Sequence, residues 1–274
     1  MQCCRRLNNT LQITACANVN YIACQHAQNV SVCENPIALE QMRERIAKNT
    51  DQFCPADCEY KKKPEEFVPT PQPERVILGC FINCNLNCYY CWRFQHNHKI
   101  TFWDTIGEII KKKFISKAKR LDWNMGEFYF DQKGQKVFLR YKKKYKLHLH
   151  VVTNGTLYDS EIPVDSLTLT LHGFDKKSYK HNCKQDVFSQ VKKNLKQMIK
   201  DKRLTDVCVM MNNYNRHNID KLFAFIEKNI PKEILVRIAY CVNDVESYGK
   251  WETHHKKLTG MLKKAGYKTT GRGT

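Results

Sequence analysis

The fold of this chain is decided by Cys84-Asn-Leu-Asn-Cys88-Tyr-Tyr-Cys91, a stretch of eight residues that carries three thiols. It closely follows the apolar run Arg75-Val-Ile-Leu-Gly-Cys80, which has the composition of a buried strand. Thiolates select zinc, copper(I) or iron–sulfur clusters, and spacings of three and two residues let one short loop gather its sulfurs around one centre. Three protein ligands leave one metal position open, as in catalytic zinc sites. The stretch therefore predicts a metal centre that performs chemistry.

Cys84, Cys88 and Cys91, with the aromatic Tyr90 before the last cysteine, resemble the signature of the radical S-adenosylmethionine (SAM) superfamily. The resemblance implies a catalytic [4Fe–4S] cluster on the three cysteines, whose open iron binds the amino and carboxylate groups of SAM. It also implies reductive cleavage of SAM to methionine and a 5′-deoxyadenosyl radical that abstracts hydrogen from a substrate. In relatives the aromatic at this position lies near the adenine, so Tyr90 is a predicted cofactor contact.

Other interpretations of the thiols stay open. A zinc knuckle, or a set of unrelated buried cysteines, would use the same residue types. Cys80 raises the count to four thiols within twelve residues, which could saturate a zinc ion or a cluster and leave a structural or electron-transfer site. We interpret Cys80 as a strand-end thiol, because free cysteine is commonly buried as a small hydrophobe.

Two later motifs resemble the SAM-binding segments of the same family. Met125-Gly126-Glu127 is similar to its Gly-Gly-Glu motif, with Met125 in place of the first glycine, and Thr153-Asn154-Gly155 closely resembles its Thr-Asn-Gly. Glycine lets backbone approach a ligand closely, and a carboxylate accepts hydrogen bonds from an amino group. Thr170 stands where relatives carry a serine whose hydroxyl tends to face SAM. The resemblance implies SAM contacts from Met125, Gly126, Glu127, Thr153, Asn154, Gly155 and Thr170.

His172 stands where the same family strand carries an aspartate. It is a candidate base, donor or acceptor that faces the substrate, and a structurally satisfied histidine is the alternative. The arginine that many relatives place shortly afterwards for the SAM carboxylate has no clear counterpart, and Lys180 or Lys184 could substitute for it.

Beyond residue 70, apolar runs alternate with helical patterns, the rhythm expected of βα units. A complete eightfold barrel needs about 250 residues, so the remaining length favours an α/β fold with a partial (β/α)6 TIM-like barrel over 71–274 that ends in a helical extension. Its chemistry is expected at the carboxyl ends of the strands. The predicted strands are 75–80, 121–126, 147–153, 166–171, 206–211 and 233–239, and the predicted helices are 104–117, 134–144, 186–200 and 218–227.

Residues 1–70 are predicted to form a small cysteine-rich module and a proline-containing linker. The module has a predicted hairpin over 11–16 and 21–24, a predicted helix over 36–48 and a closing cysteine pair. It loosely resembles the SPASM or twitch extension, which binds an auxiliary iron–sulfur cluster but usually follows the radical SAM domain. A small zinc site, or thiols that are merely buried, would fit as well, and Cys3, Cys16 or Cys33 could belong to the ligand set. The implied cluster ligands are Cys4, Cys24, Cys54 and Cys58.

The net charge of +19 favours polyanionic partners such as RNA, although a solvated basic surface would have the same composition. No run approaches 18 apolar residues, and the first residues lack the apolar core of a signal peptide. We therefore expect no membrane segment and a cytoplasmic protein whose thiols stay reduced.

These features together predict a radical SAM enzyme. A peptide or protein substrate is the first expectation, because SPASM-like modules are associated with such substrates in that family. An enzyme that modifies RNA or a nucleotide is the alternative that the charge favours, and a non-enzymatic zinc or iron–sulfur protein that binds nucleic acid is another. The enzyme would also need an electron donor such as a flavodoxin or ferredoxin.

Overall fold

The computed structural model describes residues 83–91, 115–124, 126–240 and 248–270, together with six strands before residue 80. None of its described helices is long and apolar enough to cross a membrane. The predicted helix over 36–48 and most of the one over 104–117 lie outside the described residues, and Ile115–Lys117 forms a 3-10 helix.

Six parallel strands form the scaffold, and each is hydrogen-bonded to the next one in chain order. Sequential parallel strands joined by helices are the arrangement of a βα barrel, so the predicted α/β class with its partial barrel is confirmed. A seventh short strand, β12 (Thr269–Thr270), adds to the last of the six in parallel. The six are β6 (Arg75–Gly79), β7 (Arg120–Trp123), β8 (His148–Thr153), β9 (Ser166–Leu171), β10 (Leu204–Met211) and β11 (Leu235–Tyr240).

The amino-terminal strands extend the same sheet. A hairpin, predicted from the sequence, pairs β2 (Thr10–Thr14) with β3 (Val19–Ile22), and β3 pairs in turn with β4 (Ser31–Cys33). Strand β2 lies parallel to β6, so hydrogen bonds join strands on either side of residue 70. The two-residue strands β1 (Cys3–Cys4) and β5 (Lys61–Lys62) form a separate pair. The division of the chain into two domains near residue 70 stays a prediction.

The described part of the chain has six α-helices: α1 (Gln132–Tyr145), α2 (Lys176–Cys183), α3 (Phe188–Lys200), α4 (Asn213–Arg216), α5 (Ile219–Asn229) and α6 (Tyr248–Lys264). Three of them, α1, α3 and α5, match predicted helices to within a few residues. The predicted set did not contain α2 and α4, because both are short and polar and neither shows a helical repeat of apolar residues. A capping box starts α2, since the Asp175 carboxylate accepts from the Ser178 backbone N–H at 2.7 Å and the Asp175 N–H donates to the Ser178 hydroxyl at 3.0 Å.

Strand β9 shows how the sheet separates an apolar face from a polar one. Leu167, Leu169 and Leu171 are fully buried and belong to the hydrophobic core, which also takes the apolar stripe of α3. Side chains alternate along a strand, so Ser166, Thr168 and Thr170 point to the opposite face. The core therefore lies between sheet and helices, and the hydroxyl groups line the other face of the sheet.

A chain of hydrogen bonds crosses this polar face. The two ring nitrogens of His150 bond the Ser166 hydroxyl at 2.8 Å and the Thr168 hydroxyl at 3.0 Å, and Thr168 donates to Asp206 at 2.7 Å. Arg237 donates to the other oxygen of Asp206 at 2.6 Å. Burial lowers the pKa of His150 to about 4, so its ring is neutral at neutral pH. These partners satisfy the polar groups that the sheet buries.

Candidate functional site

Three loops that follow neighbouring strands meet at the carboxyl-end edge of the sheet. The cysteine loop, residues 83–91, follows β6, and the two motifs that resemble SAM-binding segments follow β7 and β8. The backbone N–H of Glu127 donates to the carbonyl oxygen of Asn83 at 2.7 Å, which ties the second loop to the first. Parallel neighbours bring these loops together, because their strands all end at one edge.

Glu127 is the centre of this contact. Its carboxylate is fully buried and accepts from the Thr153 hydroxyl at 2.8 Å, from the Asn154 N–H at 2.7 Å and from the Tyr129 N–H at 3.3 Å. Burial raises its pKa to about 7, against the opposing effect of those hydrogen bonds. The structure thus brings together Glu127, Thr153 and Asn154, which the sequence had linked only through a resemblance.

Asn154 connects this carboxylate to the cysteine loop. Its side-chain N–H groups donate to the Asn85 amide oxygen at 3.0 Å and to the Cys84 sulfur at 3.6 Å. The Cys84 sulfur also accepts from the Leu86 backbone N–H at 3.4 Å, and Asn85 donates to the Thr156 hydroxyl at 2.8 Å. Hydrogen bonds of this kind tune the potential of a cluster bound through the sulfur. No feature of the sequence singled out Asn85, because an asparagine between two cysteines looks like an ordinary loop residue.

Two of the predicted glycines have a backbone reason for their identity. Gly126 and Gly155 have φ angles of +63° and +77°, in the left-handed region that side chains disfavour. A Cβ atom on Gly155 would also lie 2.5 Å from the Leu169 Cδ1 atom. Both positions therefore require glycine to form these turns, and Met125 lies outside the described residues.

Tyr90 of the cysteine loop contacts His172, which directly follows β9. Both side chains are buried, and the Tyr90 hydroxyl is hydrogen-bonded to Nδ1 of His172. The His172 carbonyl oxygen accepts from the Asn182 side chain at 2.7 Å and from the Asn215 side chain at 3.1 Å. Burial lowers the pKa of His172 to about 4, which keeps its ring neutral at neutral pH. Thr170 is half-buried two residues earlier on β9.

Cys183, at the end of α2, adds a thiol that sequence reasoning gave no role. Its sulfur, the Cys88 sulfur and a ring nitrogen of His172 all lie within 4.8 Å of one another. Among the described residues, the three cysteines of the loop do not converge in this way. Thiolates around one zinc ion would lie about 3.8 Å apart, from Zn–S bonds of about 2.3 Å in a tetrahedron. Ligands of a cubane bind different irons and stand further apart, so a cluster does not require the three loop sulfurs to converge in this way.

Tyr179 lies beside this set of ligand atoms. Its ring packs edge-on against His172, with the ring centres 6.2 Å apart. Burial, followed by the neighbouring Cys183 thiol, raises the pKa of the Tyr179 hydroxyl, whereas the backbone of His172 acts to lower it. The phenol therefore stays protonated at neutral pH.

A sequence model described as the radical SAM superfamily matches residues 80–226, more than half of the chain. The chain belongs to the radical SAM superfamily. This confirms the predicted family, and the cofactors of the superfamily are a [4Fe–4S] cluster and SAM. The matched region begins just before the cysteine loop and ends within α5, so it contains every described residue of the candidate site.

Two solved structures have a similar fold. One is anSMEcpe with bound AdoMet (SAM), at 18% identity and a TM-score of 0.56, where the match covers 71% of this chain and 60% of the other. The second is Streptococcus suis SuiB bound to the precursor peptide SuiA, at 15% identity and a TM-score of 0.55, where it covers 89% of this chain and 56% of the other. At these identities the likeness shows the shared radical SAM fold.

Among curated proteins, an uncharacterized protein of Methanocaldococcus jannaschii, MJ0804, is similar to part of the chain. The two are 29% identical over 120 residues, which is 41% of this chain and 39% of the relative. The chain thus spans well under half of this relative, and less than two thirds of either solved structure.

The residues present fit the cluster that the superfamily uses. Three thiols project from one short loop at the sheet edge, Cys88 is buried, and Cys84 and Cys91 are half-buried. The hydrogen bonds to Cys84 supply the donors that a thiolate ligand needs. Cys80 and three of the predicted auxiliary ligands, Cys24, Cys54 and Cys58, lie outside the described residues, as does the side chain of Cys4. The auxiliary cluster stays a prediction.

The burial of Glu127 predicts an unusual dependence of stability on pH. Its folded pKa of about 7 lies above its ordinary value of 4.5, so between these values the folded chain holds a proton that the unfolded chain has released. The free energy of unfolding, relative to Glu127→Gln, is expected to fall by about 3 kcal/mol as pH rises from 4 to 8. Urea unfolding of both chains across this range measures the difference, and a difference that does not change with pH would contradict the assignment.

Proposed function

We propose that the chain is a radical SAM enzyme whose catalytic cluster is held by Cys84, Cys88 and Cys91. The observation that carries the proposal is the contact at the sheet edge, where Asn154 joins the Cys84 sulfur to the buried Glu127 carboxylate. When bound, the cluster and SAM supply the electron and the 5′-deoxyadenosyl radical that abstracts hydrogen from the substrate.

Glu127 is proposed to orient the amino group of SAM. A carboxylate has about four acceptor sites, and Thr153, Asn154 and Tyr129 occupy three of them. With respect to the described residues, one site remains for an N–H of the ligand, and the charge-assisted bond would be strong because the group is fully buried. The protein hydrogen bonds hold the carboxylate in place before the ligand arrives, which lowers the cost of binding.

Tyr90 and Thr170 are proposed to complete the cofactor site. Tyr90 packs edge-on against Tyr89, with ring centres 5.0 Å apart, and its hydroxyl is held by His172. The buried ring excludes water beside the last cysteine, and exclusion of water tunes the potential of a cluster. The half-buried Thr170 hydroxyl lies on the polar face of the sheet, from which it would reach SAM.

The decisive test is anaerobic reconstitution of the full chain with iron and sulfide, followed by reduction in the presence of SAM. We expect absorption of a [4Fe–4S] cluster and formation of 5′-deoxyadenosine by the reduced protein. A chain that binds iron and sulfide yet leaves SAM intact would contradict the proposal and favour a non-enzymatic iron–sulfur protein.

A peptide or protein is the proposed substrate, and a flavodoxin or ferredoxin the proposed electron donor. Support comes from the fold of SuiB, which was solved with a precursor peptide and matches 89% of this chain. The cysteine-rich residues 1–70 add support through their resemblance to modules associated with peptide modification. Incubation of the reconstituted chain with candidate peptides tests the substrate class, and the readouts are a change in peptide mass and 5′-deoxyadenosine formed above the amount without peptide.

A second candidate, modification of RNA, is favoured by a basic groove between α2 and α3. The groove has a volume of about 960 Å³, and six lysines line it together with Asp175. Lys192, Lys196 and Lys200 follow a spacing of four residues, which places them on one face of α3. Such a row attracts phosphates, and α2 connects it to the cysteine loop through the Tyr89 N–H, which donates to the Asn182 carbonyl oxygen at 3.2 Å.

The groove predicts how single-stranded RNA binds. Replacing Lys192, Lys196 and Lys200 with glutamate is expected to weaken binding of an RNA oligomer and to reduce the slope of log K against log salt by about 2, because each neutralised phosphate contributes about 0.7. A matched control replaces Lys136, Lys143 and Lys144 on α1. Fluorescence anisotropy across a salt series measures both, and equal losses in the two variants would contradict a specific role for the groove.

A further inference from the structure

We propose that Cys88, His172 and Cys183 form a binding site for a single divalent cation of the zinc class, which the chain binds when its cluster is absent. The inference rests on the proposed function in one respect, which is that Cys88 is also a ligand of the cluster. The site overlaps the cluster site at Cys88 but is not identical to it, because Cys183 and His172 are not in the cysteine loop.

The three ligand atoms lie close enough for a small shift of their side chains to gather them around one ion. They lie within 4.8 Å of one another, and the side chains of Cys88, His172 and Cys183 are 7%, 7% and 0% exposed. Thiolate and imidazole are the ligands that zinc prefers, and its ligands lie about 3.8 Å apart in a tetrahedron. Two sulfurs and one nitrogen leave the fourth position open to water. The donor set thus suits zinc better than magnesium or calcium, which take oxygen ligands.

The ligands are held by independent contacts. The Tyr90 hydroxyl bonds Nδ1 of His172, which fixes the orientation of the ring. The His172 carbonyl oxygen is fixed by Asn182 and Asn215, and the Tyr89 N–H binds the carbonyl oxygen of Asn182. The cysteine loop, the end of β9 and the end of α2 therefore keep their ligands in register before any ion binds.

An orphaned polar atom points to a missing ligand at the same place. The Tyr179 side chain is 0% exposed, and its hydroxyl has no hydrogen-bond partner of normal geometry in the described part of the chain. A buried hydroxyl without a partner costs about 1–3 kcal/mol. Tyr179 packs directly against the His172 ring, so a water molecule on the open metal position could bond this hydroxyl.

The two metal centres exclude each other because they share Cys88. A sulfur that binds zinc with Cys183 and His172 is not available to an iron of the cluster. Zinc binding displaces thiol protons and transfers no electrons, so the exchange is governed by affinity alone. Zinc is therefore expected to slow assembly of the cluster by holding the middle cysteine of the loop.

The test uses the full chain, reduced, freed of metal and kept anaerobic. Cobalt(II) is titrated first, because the intensity of its sulfur charge-transfer band reports the number of thiolate ligands, and zinc is then titrated against a coloured chelator. Cys183→Ser and Cys88→Ser are each expected to lower the bound metal by one equivalent per chain. Cys84→Ser and the control Cys208→Ser, which removes a half-buried thiol from β10, should leave the count unchanged, whatever the amino-terminal cysteines bind.

Two results would overturn the site: an unchanged count in Cys183→Ser, or a Cys84→Ser variant that loses the same equivalent as Cys88→Ser. Circular dichroism, together with the variant Cys183→Ala, shows whether the serine variant is misfolded. The rate of iron uptake by the wild-type chain is a second readout that needs no Cys183 variant, because zinc should slow that uptake. The outcomes separate from the proposed function, because Cys183→Ser should still take up iron and form 5′-deoxyadenosine. A wild-type chain that binds the extra zinc but never cleaves SAM would overturn the function alone.

Discussion

Replacing Cys88 with alanine is expected to abolish 5′-deoxyadenosine formation and to lower the iron bound after reconstitution. A cubane held by two thiolates loses the ligand of one iron, so both binding of the cluster and delivery of an electron to SAM should fail. The rate should fall to the uncatalysed background, a loss of about 10⁶-fold or more for an enzyme of ordinary acceleration. The measurements are iron content, absorption of the cluster and chromatography of the products after reduction with SAM.

Cys80→Ala is the matched control, because Cys80 lies in the same segment and supplies the only competing thiol of the run 80–91. Its product formation should stay near that of the wild type. Loss of the product in Cys80→Ala to the same extent as in Cys88→Ala would mean that four protein sulfurs saturate the cluster. The open iron position, and with it the proposed chemistry, would then be wrong.

Replacing Trp123 with alanine is expected to lower the free energy of unfolding by about 3–5 kcal/mol, the usual cost of removing a large buried aromatic side chain. Trp123 is 0% exposed at the end of β7 and packs edge-on against Phe128 and Phe138, with ring centres 5.3 and 4.9 Å away. The loop between Trp123 and Phe128 carries Glu127, so the cavity would also loosen the candidate site. Urea unfolding followed by circular dichroism measures the effect.

Phe130→Ala provides the comparison for Trp123. Phe130 lies in the same segment but is 49% exposed, so its removal should change stability by less than about 0.5 kcal/mol. Equal destabilisation by the two substitutions would show that the packing around Trp123 does not anchor β7.

The strands and the three motif segments were predictable from local patterns. A short apolar run, or an alternation of apolar and polar residues, predicts a strand, and each of β6 to β11 carries one of these two signals. The family was identified by three segments in order, each after a strand: the cysteine loop, Gly126-Glu127 and Thr153-Asn154-Gly155. These segments lie together because parallel strands end at one edge of the sheet. The left-handed turns at Gly126 and Gly155 explain why those two residues are glycine.

The contacts within the site were not predictable, because they join residues far apart in the chain. Asn85 and Asn154 meet across two strands, and Cys183 reaches Cys88 only because α2 ends beside the cysteine loop. Helix α2 itself left little trace in the sequence, because it is short and mostly polar and so lacks the apolar repeat of a longer helix.

The sequence alone determined the class of fold and the cysteine trio, because strand patterning and ligand spacing are properties of short segments. Tertiary structure decided which groups surround those thiols: the buried carboxylate of Glu127 on one side, and the ring of His172 with the sulfur of Cys183 on the other. The reason is physical, since hydrogen bonding, burial and metal geometry depend on distances in space that spacing along a chain does not encode.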